Sequence, residues 1–174
     1  MTPAPSSGAL YLRLLSYVRP YLKVFALAVL LLSLGAAAQT AAFAKITQKK
    51  GAFEDVRQDV ADAIVARGFV IDYTARIGEM LSRTAKDVGA TTEVYKSAVA
   101  MQFCSAKLSR DMFEADPATI AFCPYVIAVY ELTAKPGIVH IAYRRFPSIA
   151  SRPTRKTVAA VQRTLDEIIA KAAK

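Results

Sequence analysis

The sequence predicts an α+β domain in which helices pack on one face of an antiparallel sheet. Two apolar stripes at helical spacing, one beginning at Phe53 and one at Val158, indicate amphipathic helices that need a surface to cover. Two runs rich in β-branched and aromatic residues, Tyr125–Leu132 and Ile138–Arg144, predict neighbouring strands. Because these strands offer the only large apolar surface, we expect the helices to lie on the sheet.

The first half of the folded part is predicted to hold two helices and two extended segments. Apolar residues recur every three or four positions from Phe53 to Ile64, and Gly68 provides a helix end. Residues 69 to 77 then form an extended run. Residues 79 to 88 form a short helix closed by Gly89, and residues 94 to 103 favour a strand.

The second half begins and ends with a helix. Ser105 is placed to cap a helix that reaches Ala115, and Asp116-Pro117 ends it because proline has no amide hydrogen and restricts the residue before it. The last helix has Pro153 near its start. Its apolar stripe consists of Val158, Val161, Leu165 and Ile168.

The two central strands form a predicted hairpin with a defined register. Pro136-Gly137 is a turn signal between them. A turn centred near Lys135 places Tyr130 opposite His140 and Ala128 opposite Ala142.

The composition excludes several classes of protein. The chain has 174 residues, 54% of them hydrophobic, with only 7 Gly and 8 Pro, which is incompatible with a disordered or collagen-like polymer. One His and two Cys are too few for the common structural zinc sites. Two Cys are also too few for a small domain that is held together by disulfides. The chain contains no Gly-x-Ser-x-Gly elbow, Gly-rich phosphate loop or His-Glu-x-x-His motif. We therefore expect no cofactor, and we assign no catalytic residue.

Residues 1–44 are predicted to be a signal peptide or an N-terminal membrane anchor, and residues 45–174 a single domain. Three basic residues precede the uncharged run VFALAVLLLSLGAAA, which begins at Val24. Ala42-Phe43-Ala44 offers a small-x-small cleavage pattern just before Lys45, and Ala36-Ala37-Ala38 offers an earlier one. The alternative is a retained anchor, because Val24 to Ala44 is twenty-one uncharged residues, about the ~20 that a membrane span needs.

Both alternatives predict the same compartment. The basic residues hold the N-terminus in the cytoplasm, so the domain is expected in the periplasm, or on the inner membrane facing the periplasm. The chain has 23 Lys+Arg against 14 Asp+Glu; removing the three basic residues of the leading segment leaves 20 against 14, a net charge of +6. We expect this charge to serve solubility, or attraction to anionic headgroups or acidic polymers. With no aromatic-interleaved basic patch, we expect no nucleic-acid partner.

Several segments of the chain resemble the domain-of-unknown-function 302 family, in its exported, two-cysteine subset. The resemblance rests on Gly68-Phe69, on Ile77-Gly78-Glu79-Met80-Leu81, and above all on FCSAKLSRDMFEADPATIAFCPYVIAVYEL from Phe103 to Leu132, followed by Ala142-Tyr143-Arg144-Arg145. It covers about Gly51 to Arg145. It implies a TATA-binding-protein-like β-α-β(n)-α fold and no established reaction.

Cys104 and Cys123 are the candidate disulfide. Cys104 lies where one strand is predicted to end, and Cys123 lies before Pro124 at the start of the next. Outside the inner membrane paired thiols usually oxidise. Two separate thiols, or a redox or metal role, remain the alternatives.

His140, Tyr143 and Arg144 are candidates for a ligand pocket. His140 is the only imidazole of the chain, and packing in its strand competes with any chemical role. A metal site would need His140, one cysteine and an acid such as Asp72 or Glu131 to converge. Aromatic residues near Arg144 are suited to an anionic or planar ligand, although packing explains them as well.

The sequence thus predicts an exported, non-enzymatic ligand-binding or accessory module. Its expected partner is a small ligand or an envelope protein, with membrane contact through the N-terminal segment if that segment is retained. A homodimer through an exposed sheet edge or face is a further expectation. The alternative function is a small thiol- or metal-dependent envelope enzyme that uses Cys104, Cys123 or His140.

Overall fold

The computed structural model describes residue 21, residues 43–149 and residues 151–174. The predicted signal peptide or anchor therefore lies almost wholly outside the described residues. Within them, no helix has both the length and the apolar character of a membrane span.

Residues 43–149 and 151–174 form five strands and four α-helices, with one 3-10 helix. In chain order they are β1 (Ala44–Lys50), α1 (Phe53–Val65), β2 (Val70–Ala75), α2 (Ile77–Thr84), β3 (Tyr95–Cys104), α3 (Ala106–Ala115), the 3-10 helix (Pro117–Phe122), β4 (Tyr125–Leu132), β5 (Ile138–Arg144) and α4 (Arg152–Ala172).

The strands form one antiparallel sheet in the order β1-β5-β4-β3-β2, which confirms the predicted α+β class. The predicted hairpin register is also confirmed, because Tyr130 pairs with His140 and Ala128 with Ala142. Gly137 has a φ of +79°, which glycine adopts without strain, at the turn.

The core lies between one face of the sheet and helices α1, α3 and α4. Alternate residues of the three central strands point into it, because side chains of a strand alternate between the two faces. The predicted stripes of α1 and α4 cover them. The largest fully buried side chains are Phe103, Ile64, Met101, Met112, Ile127, Ile141, Ile168 and Ile169. Each such side chain contributes about 1.5–3 kcal/mol relative to an exposed one.

Strand β1 was not predicted. Its sequence AKITQKK has only one large aliphatic residue, Ile46, and lies at the sheet edge, where side chains need not be apolar. Polar contacts attach it to the helices instead. Lys45 Nζ lies 2.8 Å from Asp166 Oδ1, and Lys49 Nζ donates to Asp59 Oδ2 and to the carbonyl oxygen of Ala172, both at 2.8 Å.

Helix α2 differs from its prediction at both ends. It begins at Ile77 and ends at Thr84, and turns continue to Gly89. The helix lies against the part of β3 beyond the last pair with β2, Ala75–Ala100. A Cβ at Gly78 would lie 2.9 Å from the backbone nitrogen of Ala98. This close approach brings α2 onto β3 although none of its side chains is buried.

The α3 boundaries follow the predicted capping. Ser105 Oγ accepts a hydrogen bond from the backbone nitrogen of Leu108 at 3.4 Å. Asp116 ends the helix, and its Oδ1 accepts from the backbone nitrogen of Ala118 to start the 3-10 helix. The chain then enters β4 through Cys123 and Pro124.

Candidate functional site

A cavity of about 440 Å³ lies at the end of the sheet where β1 starts, β5 ends and β4 starts. We call it the β1-end cavity. Its wall is predominantly apolar and aromatic. The lining residues used below are Phe43, Phe122, Val126, Tyr143, Arg144 and Phe146.

Arg144 supplies the positive charge of this cavity. It is exposed, and within residues 43–149 and 151–174 its guanidinium pairs with no carboxylate. Phe122 and Phe146 face each other beside it in an edge-to-face pair with ring centroids 5.0 Å apart. The arrangement combines a free cation with aromatic surface.

Tyr143 forms part of the cavity wall, but its hydroxyl is engaged in a hydrogen bond. The hydroxyl donates to Asp166 Oδ1 at 2.7 Å, the same oxygen that Lys45 contacts. Burial raises the pKa of Tyr143 above its usual range, and the adjacent carboxylate raises it further. Burial alone would raise the pKa of Asp166, but the hydrogen bonds from Lys45 and Tyr143 outweigh it and lower that pKa. Tyr143 is therefore a neutral donor and Asp166 an anion at neutral pH.

Cys104 and Cys123 lie side by side next to the β1-end cavity as two free thiols. Burial raises the pKa of the Cys104 thiol to about 11, and the neighbouring Cys123, which hydrogen-bonds to it, adds to the rise. Ser109 Oγ lies 3.4 Å from Cys123 Sγ and 3.2 Å from the hydroxyl of Tyr125, which lines the cavity. Because a thiol with this pKa is protonated at pH 7, Cys104 is a poor nucleophile.

His140 does not line the β1-end cavity. Only 5% of it is exposed, and its ring stacks on Tyr130 with centroids 4.8 Å apart. Nε2 lies 3.1 Å from Gln48 Nε2, and Nδ1 is buried without a hydrogen-bond partner among the described residues. The structure thus brings Tyr143 and Arg144 to one cavity and leaves His140 in an aromatic stack on the sheet.

The proposed convergence of His140, a cysteine and an acid does not occur. No group of three or more His, Cys, Asp or Glu side chains is placed to hold a metal ion in the part of the chain that the structure describes. Glu131 instead accepts from the backbone nitrogen of Gly137 at 2.7 Å and pairs with Lys96 at 3.1 Å. The Gly137 hydrogen bond, with help from Lys96, lowers the pKa of Glu131, so its role is to hold the hairpin turn.

A second cavity, of about 390 Å³, lies between α2 and the segment that leads into β3. We call it the α2 cavity. Leu81, Val88 and Val94 give it an aliphatic lining, with hydroxyl groups from neighbouring Ser and Thr residues. Glu93 is the one charged residue among the described residues that line it.

Sequence reasoning missed the phenylalanines of the β1-end cavity. Phe43 belongs to the predicted cleavage pattern. Phe122 and Phe146 lie outside the strands, so strand periodicity does not indicate which way their side chains point. The available signal was local: Phe122 precedes Cys123-Pro124, and Phe146 follows Arg144-Arg145. Phe122 is thus adjacent to the candidate Cys123, and Phe146 is two residues after the candidate Arg144.

The family model for the domain of unknown function DUF302 matches residues 44–172. The chain belongs to the DUF302 family. The match extends the resemblance in both directions, because it includes β1 and α4, and it begins at the first residue of β1.

A solved structure of a DUF302 protein confirms the fold. The "uncharacterized conserved protein DUF302 from Bacillus stearothermophilus" superposes with a TM-score of 0.63 at 13% identity, covering 77% of this chain and 100% of that one. No curated protein matches the chain significantly. At this identity the DUF302 likeness carries the fold alone.

Proposed function

We propose that this DUF302 protein is a non-enzymatic envelope module that binds a small molecule in the β1-end cavity. The observation that carries the proposal is the guanidinium of Arg144, which pairs with no described carboxylate, beside aromatic rings in a concave site of about 440 Å³. That volume lies within the range of about 300–1,000 Å³ that is typical of small-molecule sites.

The lining favours an apolar, planar molecule with one acidic group. Phe122 and Phe146 provide ring surface against which a planar group can pack. Arg144 provides a fork of donors that matches a carboxylate or sulfonate. Tyr143 adds no competing negative charge, because its hydroxyl is committed to Asp166.

We also propose that the domain is exported, as the N-terminal segment predicts. Of the two cleavage patterns, the structure of β1 favours the earlier one, Ala36-Ala37-Ala38. A cut before Lys45 would remove Phe43, whose carbonyl accepts a hydrogen bond from the backbone nitrogen of Arg145 at 2.9 Å. It would also remove Ala44, which pairs with Arg144.

Dye binding to the full chain tests the ligand site. We expect Arg144→Gln to weaken binding of the anionic dye anilinonaphthalene sulfonate about tenfold, because a charge-assisted contact is lost. Binding of the uncharged dye phenylnaphthylamine should not change. Arg83→Gln, an exposed arginine of α2, is the matched control and should affect neither dye.

Two results would contradict this proposal. One is an R144Q protein that binds the anionic dye as tightly as the unaltered chain does. The other is an R83Q protein that loses anionic-dye binding to the same extent. Both dyes also adsorb to apolar segments, so the difference between variants is the measured quantity.

A thiol-dependent enzyme is the second candidate, favoured by the adjacency of Cys104 and Cys123. The pKa of about 11 at Cys104 is against it, because little thiolate is present at pH 7. His140 does not provide a nearby base, since it belongs to the stack with Tyr130. A structural pair, reduced or oxidised, is the better interpretation.

A further inference from the structure

We infer that one surface of the domain docks on anionic phospholipid headgroups. This surface, the basic end, consists of Arg144, Arg145, Arg152, Arg155 and Lys156. The inference rests on the export part of the proposed function and adds the membrane surface as a partner.

The basic residues come from the end of β5 and the start of α4, which extend toward the same end of the domain. Lys45 at the start of β1 contacts Asp166, and Lys49 near its end contacts the Ala172 carbonyl, so α4 runs in the direction of β1. At 1.5 Å per residue, the first turn of α4 lies about 20 Å before Asp166 along the helix. That turn therefore extends past the start of β1.

The start of β1 is also where the chain leaves the apolar segment. The uncharged run from Val24 ends at Ala44, and Ala44 is already paired with Arg144 in the sheet. Between Leu34 and β1 lie nine uncharged residues, of which only Gln39 and Thr40 are polar. If the segment enters a membrane, this short connection keeps the start of β1 near the headgroups, together with Arg144 and Arg145, which bond to Ala44 and Phe43.

The charges of the basic end are available for a partner. All five residues are exposed, and none forms a salt bridge with a described residue. Arg145 donates its Nε to the Ala44 carbonyl at 3.3 Å, and this is its one side-chain hydrogen bond among the described residues. Phe43, which is 65% exposed, adds an aromatic side chain beside them. Exposed cations that pair with no described carboxylate, with an aromatic ring beside Arg144 and Arg145, are complementary to an anionic lipid surface.

The expected strength follows from the charge. Each basic residue near an anionic surface changes the ratio of docked to undocked protein about fivefold, and salt screens the effect. Removing two residues should therefore lower that ratio about 25-fold. Arg152 and Arg155 are the residues to remove, because they do not line the β1-end cavity.

The experiment uses the full chain in vesicles and exploits the absence of tryptophan. Ser148→Trp places one reporter in the exposed loop at the basic end, and Val88→Trp places one in the lining of the α2 cavity. Quenching by brominated lipid is compared in phosphatidylcholine and in a mixture with phosphatidylglycerol. A retained anchor tethers the protein equally to both kinds of vesicle. A dependence of quenching on lipid charge therefore distinguishes docking of the basic end from tethering.

We expect strong quenching of the S148W protein in anionic vesicles only, reversed by salt and by adding R152Q/R155Q. The V88W protein should be quenched weakly in both vesicles. Quenching independent of lipid charge would overturn the proposal in favour of tethering alone. If quenching of the S148W protein persisted after R152Q/R155Q were added, or if the V88W protein were quenched equally in anionic vesicles, docking would involve another surface. Dye binding to the R152Q/R155Q protein should stay unchanged, so a failed docking test leaves the ligand site intact.

Discussion

The two cavities lie at opposite ends of β3 and β4 and are similar in volume, but their linings differ. The β1-end cavity combines phenylalanine rings with Arg144, whereas the α2 cavity combines aliphatic side chains with Ser and Thr hydroxyls and Glu93. Volume therefore does not separate the two sites. The charge in each lining distinguishes them, because Arg144 favours an acidic ligand in the β1-end cavity and Glu93 disfavours one in the α2 cavity.

The two ends are also held together by different contacts. At the β1 end, Asp166 joins β1, β5 and α4 through Lys45 and Tyr143. At the α2 end, a helix with no buried side chain relies on the close approach of Gly78 to β3. Regions with few buried apolar contacts open at lower free energy. We expect the α2 end to exchange its amide hydrogens faster.

The largest expected effect follows from oxidation of Cys104 and Cys123 to a disulfide, which would join the end of β3 to the segment that leads into β4. The two hydrogens would pass to a disulfide-exchanging oxidant of the envelope. A bridge closing this loop stabilises a protein by about 3 kcal/mol in the chain-entropy model. If the domain is exported as proposed, the protein denatured without reductant should show no free thiol, and reductant should lower its urea midpoint. Two titratable thiols would contradict the disulfide, and a Cys104→Ser variant should be insensitive to reductant.

Gly78→Ala should destabilise the α2 end by about 1–3 kcal/mol, because the added methyl group is forced against the backbone of Ala98. Urea unfolding measures the loss. Ser82→Ala, an exposed change in the same helix, is the control and should stay within about 0.5 kcal/mol. A Gly78→Ala protein as stable as the control would show that α2 is free to move away from β3.

Asp166→Asn should cost about 1 kcal/mol at neutral pH, a modest value because both charged groups are partly exposed. The pKa of Asp166 is lowered in the folded state, so its stabilisation is present above the ordinary carboxyl pKa and is lost as the pH falls below it. The difference in unfolding free energy between the two proteins should shrink on acidification. Glu167→Gln, which loses an exposed ion pair with Arg67, should show a smaller difference. If the difference in unfolding free energy between the unaltered protein and Asp166→Asn grew in acid, it would contradict the stabilising role of the ionised Asp166.

The elements with strong local patterns were predictable from the sequence. The stripes of α1 and α4 and the capping by Ser105 give periodic or positional signals. The hairpin register followed from the turn at Pro136-Gly137. Strand β1 was missed because an edge strand held by lysine contacts lacks an apolar alternation. The start of α2 was missed because its position depends on β3.

The candidate site was predictable only in part. Tyr143 and Arg144 were found because they are adjacent in a predicted strand, and the structure adds Phe43, Phe122 and Phe146 around them. His140, two strand positions from Ala142, belongs to a different environment because its neighbours across the sheet are Gln48 and Tyr130. Those neighbours depend on which strands pair.

By itself the sequence determined the α+β class, most of the helices and strands, and an apolar segment ahead of the domain, because these follow from local periodicity and composition. Only the tertiary structure decided which strand lies at each edge, which cysteine meets which neighbours, and which charges stay unpaired. Those outcomes depend on contacts between residues distant in the chain: Lys45 reaches Asp166, whereas Arg144, in the lining of the β1-end cavity, pairs with no carboxylate among the described residues.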